Sequence, residues 1–267
     1  MELPDWVPAG VEVTVPNAAR MYDYTLGGYH NFAVDREYIE KAEQAMPGIV
    51  PLAHANRAFV GRSVRWLVDK GIRQFLDIGS GIPTLGNVHE VAQHAAPDSR
   101  VIYVDIDPVA VAHSQALLAG NDLAVAIQAD LRQPSDILYY PDVLALLDFS
   151  QPVAVLMNAV MHFVPDSDDP VGIMGGFREP LVAGSYLVMT HGREAPDTAQ
   201  EQEKVAKLYE STPTSFHLRD ENHVRRMFDG FELVEPGITT VTLWHPDPDE
   251  RDDPPQDSML AVVGRKP

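Results

Sequence analysis

The chain has no cysteine, which excludes disulfides, thiolate zinc sites and a cysteine nucleophile. It is poor in positive charge: 20 Lys and Arg stand against 39 Asp and Glu, a formal net charge of −19. A field of that sign repels a phosphate backbone. The densest cations, Arg225 and Arg226, sit beside Asp220 and Glu221, so no nucleic-acid partner is expected. No apolar run reaches the roughly 20 residues that span a bilayer, and the first residues lack the basic-then-apolar order of a secretory signal. The expectation is a cytoplasmic protein with no membrane partner. Ten histidines are present, but none in the His-Glu-x-x-His spacing, so no metal site is expected.

What is present is enough for a core: 267 residues, 45% of them hydrophobic, suit one large α/β domain with appendages. Residues 1–70 read as helical. Asn17 can cap a first helix that stops at Gly27-Gly28, and Asp35 a second that ends before Pro47-Gly48. A third, from about Leu52 to Asp69, carries Phe59, Val60, Val64, Leu67 and Val68 on one stripe and ends at Gly71. From residue 74 short apolar strands alternate with helices, at 74–79, 100–106, 124–129, 152–159 and 185–191. That alternation predicts a parallel sheet covered on both faces. Asp107-Pro108 and Asp169-Pro170 open helices in the right places. Helices are expected at 196–211 and 220–228, then β-like runs at 231–244 and 259–263, separated by an acidic, proline-rich loop at 246–255. The division is a helical extension, 1–70, and a sheet domain, 71–267.

The stretch Phe75-Leu76-Asp77-Ile78-Gly79-Ser80-Gly81-Ile82-Pro83-Thr84 reads as a buried strand followed by a glycine turn. Glycines at 79 and 81 let backbone approach a ligand closely. A dinucleotide cradle wants Gly-x-Gly-x-x-Gly, but position 84 is threonine. Asp77 also precedes the turn, where it would repel a pyrophosphate and suit a cation such as an amino-acid ammonium. The run Asp77-x-Gly79-x-Gly81 thus resembles motif I of class I S-adenosylmethionine-dependent methyltransferases, with Pro83 expected as the first residue of the following helix.

Asp105 ends the second strand, where an acid can accept from both hydroxyls of a ribose. Asp107 is the rival, though directly before Pro108 it reads as a helix cap. Asp130 ends the third strand, either as an acceptor for an adenine amino group or as a polar residue entering a loop. Beyond the fourth strand, His162 has the ordinary pKa of a general base, or simply hydrogen-bonds backbone. His191 is a second, weaker candidate. The segment from Pro16 to Phe32 gathers Arg20, Tyr22, Gly28 and Asn31. Arg20 has the planar fork that suits a carboxylate, and the segment is either part of a lid or a hairpin packed on the main domain.

Asn17-Ala18-Ala19-Arg20-Met21-Tyr22-Asp23-Tyr24-Thr25-Leu26-Gly27-Gly28, Ala55-Asn56-Arg57-Ala58-Phe59, the Asp77 to Thr84 turn, Asn87-Val88-His89-Glu90 and His162-Phe163-Val164-Pro165-Asp166 together resemble the actinobacterial S-adenosyl methyltransferase family, over nearly the whole chain. The resemblance implies a Rossmann-like class I fold: a seven-stranded, mostly parallel sheet whose last strand is antiparallel, with an N-terminal helical lid. It implies S-adenosyl-L-methionine as cofactor, held by Asp77, Gly79, Ser80, Gly81, Asp105, Ile106, Asp130, Leu131 and Asn158, with Arg20, Tyr22, Gly28 and Asn31 from the lid. His162 is the catalytic candidate, and the acceptor is expected to be a small molecule. Two other readings stand beside this one: a non-catalytic module that senses S-adenosylmethionine or its demethylated product, and an NAD-dependent oxidoreductase.

Overall fold

The computed structural model describes residues 11–84, 86–195, 199–209, 212, 215–250 and 257–267. Three helices come first: α1 (Ala18–Thr25), α2 (Ala33–Ala45) and α3 (Ile49–Asp69). Asn17 caps α1 as expected, its Oδ1 accepting from the amides of Ala19 at 2.9 Å and Arg20 at 3.2 Å. Helix α2 departs from expectation. It starts ahead of Asp35, which lies in its first turn and reaches back to the Phe32 amide at 2.8 Å. The orphan donor is satisfied from inside the helix, the second half of a capping box.

Past Gly71 the alternation follows: β1 (Gln74–Ile78), α4 (Val88–Ala95), β2 (Arg100–Asp105), α5 (Pro108–Leu117), β3 (Ala124–Gln128), α6 (Pro134–Leu138), α7 (Pro141–Leu146), β4 (Ala154–Asn158), α8 (Pro170–Arg178) and β5 (Tyr186–Gly192). Then come α9 (Ala199–Tyr209), α10 (Glu221–Met227), β6 (Glu232–Leu233), β7 (Thr239–Thr240) and β8 (Met259–Arg265). Part of the helix expected at 196–211, and of the acidic loop at 246–255, lies outside the described residues. Pro83 does not open a helix. α4 begins later, at Val88, behind a capping box in which the Asn87 amide donates to Glu90 Oε2 at 2.8 Å.

The sheet order is β3-β2-β1-β4-β5-β8-β6, with β7 also paired to β8. β1 to β5 are parallel, and β8 runs antiparallel to β5, β6 and β7. The sheet therefore has eight strands rather than seven, and β8 alone runs against the others, since β6 and β7, antiparallel to β8, share the direction of β5. The expected run at 231–244 is cut by Pro236, which lacks an amide proton, and by Gly237, whose φ of +86° makes a turn. Two short strands form in its place. β1 lies between β2 and β4, so the strand order reverses there and a crevice opens at the strands' carboxyl ends.

Both sheet faces are buried, which is why the strands read as continuous apolar runs. Phe75, Val101, Leu156 and Val188 face one layer with Phe59, Val64 and Leu67 of α3. Leu76, Ile102, Val155 and Leu187 face the other with Ile137, Val143 and Phe177 of α6, α7 and α8. Each such side chain contributes about 1.5–3 kcal/mol on full burial. A smaller cluster, Met21, Tyr38, Ile39 and Ala42 with Leu208 and Tyr209, joins α1, α2 and α9.

Candidate active site

At the end of β1 the backbone turns through Gly79 and Gly81, at φ of +69° and +67°, a region that favours glycine. The amides of Gly79 and Ser80 donate to the Val104 carbonyl at 2.8 and 3.1 Å. The Gly81 amide donates to Asp105 Oδ2 at 2.7 Å, and the Asp107 amide to Oδ1 at 2.9 Å. The carboxylate at the end of β2 thus fixes the glycine turn while keeping lone pairs for a ligand. A Cβ at Gly79 would overlap the side chain of Val160, whereas a Cβ at Gly81 meets nothing within 4 Å. Asp107 is the α5 cap, accepting from the Val109 amide at 2.8 Å.

The turn opens into a cleft of about 590 Å³ lined by residues of α1, α2, α3 and α9 together with the ends of β1 to β4. Asp77 stands in its wall, 7% exposed, and receives no side-chain hydrogen bond from the described residues. Burial, with some repulsion from Asp105, pushes its carboxyl up to about 7, against the pull of Arg57. Burial likewise raises Asp105 to about 6, opposed by the amides it accepts. A buried, unpaired acid in a cleft marks a place built for a cation.

The sequence placed Arg20, Gly28 and Asn31 at this site, and none of them lines it. Arg20 is consumed in a structural clasp. Its Nε donates to Asp35 Oδ2 at 2.9 Å, Nη1 to the Glu12 carbonyl at 3.1 Å, and Nη2 to the Val15 carbonyl at 2.5 Å and Asp35 Oδ1 at 3.2 Å. Asn31 donates to Asp23 at 2.9 Å and the Gly28 carbonyl at 3.0 Å, closing the loop after α1. A Cβ on Gly28 would overlap the Asp23 carboxylate. Two arginines among the described residues do line the cleft: Arg132, clasped to Asp130, and Arg57 of α3, held by Asn87 Oδ1 at 3.1 Å. The Arg57 motif had drawn notice, but an arginine on an amphipathic helix carries no signal of its own.

Tyr22 lines the cleft within a directed chain of hydrogen bonds. The Ala159 amide donates to Thr190 Oγ1 at 2.8 Å, and Thr190 to Asn56 Oδ1 at 2.7 Å. Asn56 Nδ2 donates to Tyr22 Oη at 2.9 Å, and Tyr22 to the Ala53 carbonyl at 3.2 Å. The chain braces the turn after β4, where Ala159 sits at φ +52°, a strained conformation for a residue with a Cβ. Beside it Asn158 lines the cleft with both side-chain amide atoms buried and without a partner among the described residues.

His162 follows on a short 3₁₀ turn, Met161–Phe163. Burial, then the neighbouring His191 and Arg219, hold its pKa well below the ordinary value, so the ring is neutral near pH 7. Nδ1 accepts from the Gly192 amide at 3.4 Å, which puts the ring proton on Nε2. In that tautomer His162 offers the cleft a donor rather than a base. His191 is outside the cleft lining, with both ring nitrogens engaged, by the Gly192 carbonyl at 2.8 Å and Arg219 at 3.0 Å. Arg219 also donates to the Met161 carbonyl at 3.1 Å and the Val164 carbonyl at 2.6 Å, pinning the turn that carries His162.

At the far end Ile106 is 58% exposed although apolar, and it lines the cleft with Leu131. Asp130 is there too, clasped by Arg132, whose Nε and Nη2 approach Oδ2 at 2.9 and 2.5 Å. No group of three or more His, Asp or Glu among the described residues could hold a metal ion. No described helix is long and apolar enough to cross a membrane.

An unpaired acid, an exposed apolar platform, a glycine cradle and an orphaned buried amide fit a ligand with a cationic end, a flat ring and polar groups between. S-adenosylmethionine has these parts, and the fold is that of a class I methyltransferase. Residues 4–267 match the S-adenosyl methyltransferase family, and the chain belongs to it. It is similar to a DUF574 family protein from Streptomyces avermitilis, with 41% identity, 96% of this chain and 99% of that chain covered, and a TM-score of 0.91. A Thermobifida fusca protein assigned as a methyltransferase gives 39% identity, coverage of 98% and 99%, and a TM-score of 0.90. Human N-acetylserotonin methyltransferase in complex with S-adenosylmethionine shares the fold alone, at 13% identity, coverage of 92% and 62%, and a TM-score of 0.50. No curated protein matches the chain.

Proposed function

We propose that this S-adenosylmethionine-dependent methyltransferase acts in the cytoplasm on a small-molecule acceptor, with neither nucleic acid nor membrane as partner. The observation that carries this is the cleft itself: helices α1, α2 and α9 roof it, leaving room for a compact acceptor, while a net charge of −19 disfavours a polyanion. Residues 1–70 form the helical extension of the domain formed by 71–267, α1 and α2 acting as its lid while α3 packs on the sheet.

The cofactor, when bound, supplies a methyl group on a positively charged sulfur that leaves as a neutral thioether. The chain's own work is to bind, align and exclude water. Gly79, Ser80 and Gly81 let backbone approach; Asp77 pairs with the ammonium and Arg57 with the carboxylate. Asp105 accepts from the ribose hydroxyls. Ile106, Leu131 and Asp130 receive the adenine, Asn158 satisfies its orphaned amide on the ligand, and Tyr22 closes the roof. His162 donates from Nε2 to orient the acceptor. Calorimetry with S-adenosylmethionine, S-adenosylhomocysteine and NAD tests the cofactor. Transfer of radiolabelled methyl into a metabolite extract tests the activity; binding without any transfer would favour a sensor.

A further inference from the structure

The charged side chains of the cleft are unevenly placed. Asp77, Asp105, Asp107, Asp130 and Arg132 border the ends of β1 to β3, Asp168 joins them through Arg132 at 3.4 Å, and Arg57 faces Asp77 from α3. Across His162 the wall changes character: among the described residues, no charged side chain of α2 or α9 lines it. In their place stand aromatic rings in mutual contact. Tyr209 stacks on Phe216 at 4.8 Å between centroids and 15° between planes. Phe216 meets His162 at 4.9 Å and Phe163 at 6.0 Å. Tyr38 meets Tyr209 edge-on at 5.4 Å. Tyr38 is 5% exposed, and its hydroxyl has no hydrogen-bond partner among the described residues.

From this arrangement, and resting on the S-adenosylmethionine reading of the cleft, we infer that the methyl acceptor is an uncharged aromatic or heteroaromatic molecule carrying an oxygen or nitrogen that accepts a hydrogen bond from Tyr38. An anion brought into this half of the cleft would leave water with no cation of α2 or α9 among the described residues to meet it, and would face the negative faces of the rings. A flat ring gains offset and edge contacts with Tyr209, Phe216 and Phe163. The buried Tyr38 hydroxyl, whose ionisation is pushed up by burial, stays a donor and gains the partner it lacks. His162 Nε2 supplies a second donor at the boundary with the cofactor half.

The test is calorimetry on protein saturated with S-adenosylhomocysteine, using 2-naphthol, 2-naphthoate, cyclohexanol and naphthalene as probes. 2-Naphthol should bind at least about tenfold more tightly than 2-naphthoate or cyclohexanol. Tyr209→Ala should weaken 2-naphthol about tenfold while S-adenosylhomocysteine affinity reports an intact fold. Tyr38→Phe should weaken 2-naphthol roughly fivefold and leave naphthalene unchanged, the ratio expected for one neutral hydrogen bond. Equal binding of 2-naphthoate, or no 2-naphthol binding by protein that does hold S-adenosylhomocysteine, overturns the aromatic acceptor and leaves the cofactor reading standing. Failure to bind S-adenosylhomocysteine overturns the cofactor reading, and this inference with it.

Discussion

Asp77→Asn should make the protein more stable and worse at its task. The carboxylate is buried, faces the cleft and receives no side-chain hydrogen bond from the described residues. Its pKa in the fold, about 7 against 3.8, means the folded state holds a proton that the unfolded state releases between about pH 4 and 7. Stability contributed by this group therefore falls as pH rises through that window. Three pKa units correspond to an upper bound of about 4 kcal/mol above pH 7. Asparagine keeps the shape and drops the charge, so at pH 8 the variant should gain on the order of 2–4 kcal/mol, or roughly 5–10 °C in melting temperature. More than half of that gain should vanish by pH 5, where the wild type is protonated at Asp77. Affinity for S-adenosylmethionine should fall about ten- to a hundredfold with the lost charge-assisted bond. The assays are thermal unfolding at pH 5 and 8 and calorimetry at pH 8. A variant no more stable than the wild type at pH 8, or one that binds the cofactor equally well, refutes the reasoning.

Asp105→Ala should cost ten- to several-hundred-fold in cofactor affinity, about 1.5–3 kcal/mol per lost bond, whereas Asp107→Ala should cost about 1 kcal/mol of stability with little change in affinity; titration and melting of both variants separate the roles. Arg57→Ala should weaken S-adenosylmethionine by tenfold or more on the same scale. Arg20→Ala should instead lower the melting temperature, because Asp35 is left buried without its partner, and a reversed pattern would return the carboxylate to Arg20. Gly79→Val should abolish binding through collision with Val160 as well as backbone strain, so Gly79→Val and Val160→Ala together should recover more fold stability than Gly79→Val alone, read by thermal melts. Cofactor binding at pH 6 to 7 should release protons as the ligand ammonium ionises Asp77, visible as a dependence of calorimetric heat on buffer ionisation enthalpy; a heat independent of buffer contradicts it.

Much of the sheet could be read in advance because β1, β2, β4 and β5 are buried on both faces, so their apolar runs are unbroken and their ends fall at Asp77-Ile78, Asp105 and Asn158. Caps were legible for the same local reason: Asn17, Asp107 and Asp169 each accept from an amide two or three residues on. What escaped depends on partners far along the chain. Nothing near Arg20 announces Asp35, so a free carboxylate fork and a consumed one look alike in sequence. Arg57 is hidden because its neighbours on α3 are chosen for packing. Tautomers are set by tertiary contacts, so His162 reads as a base until Gly192 is seen at Nδ1. The split of the 231–244 run was signalled by Pro236-Gly237, a turn pair sitting inside an otherwise strand-like composition.

The bonds from Ala159 to Ala53 all point one way, each donor in the series giving a proton to the next residue. Tyr22 is the link contributed by the N-terminal helix; the others belong to α3, β5 and the turn after β4. Were that helix to lift for ligand exchange, two contacts at Tyr22 would break and the remaining series would stay intact. The strained backbone at Ala159 would then not have to relax with it. Phenylalanine at position 22 would loosen the latch without disturbing what it latches, speeding ligand release while the turn beneath keeps its form.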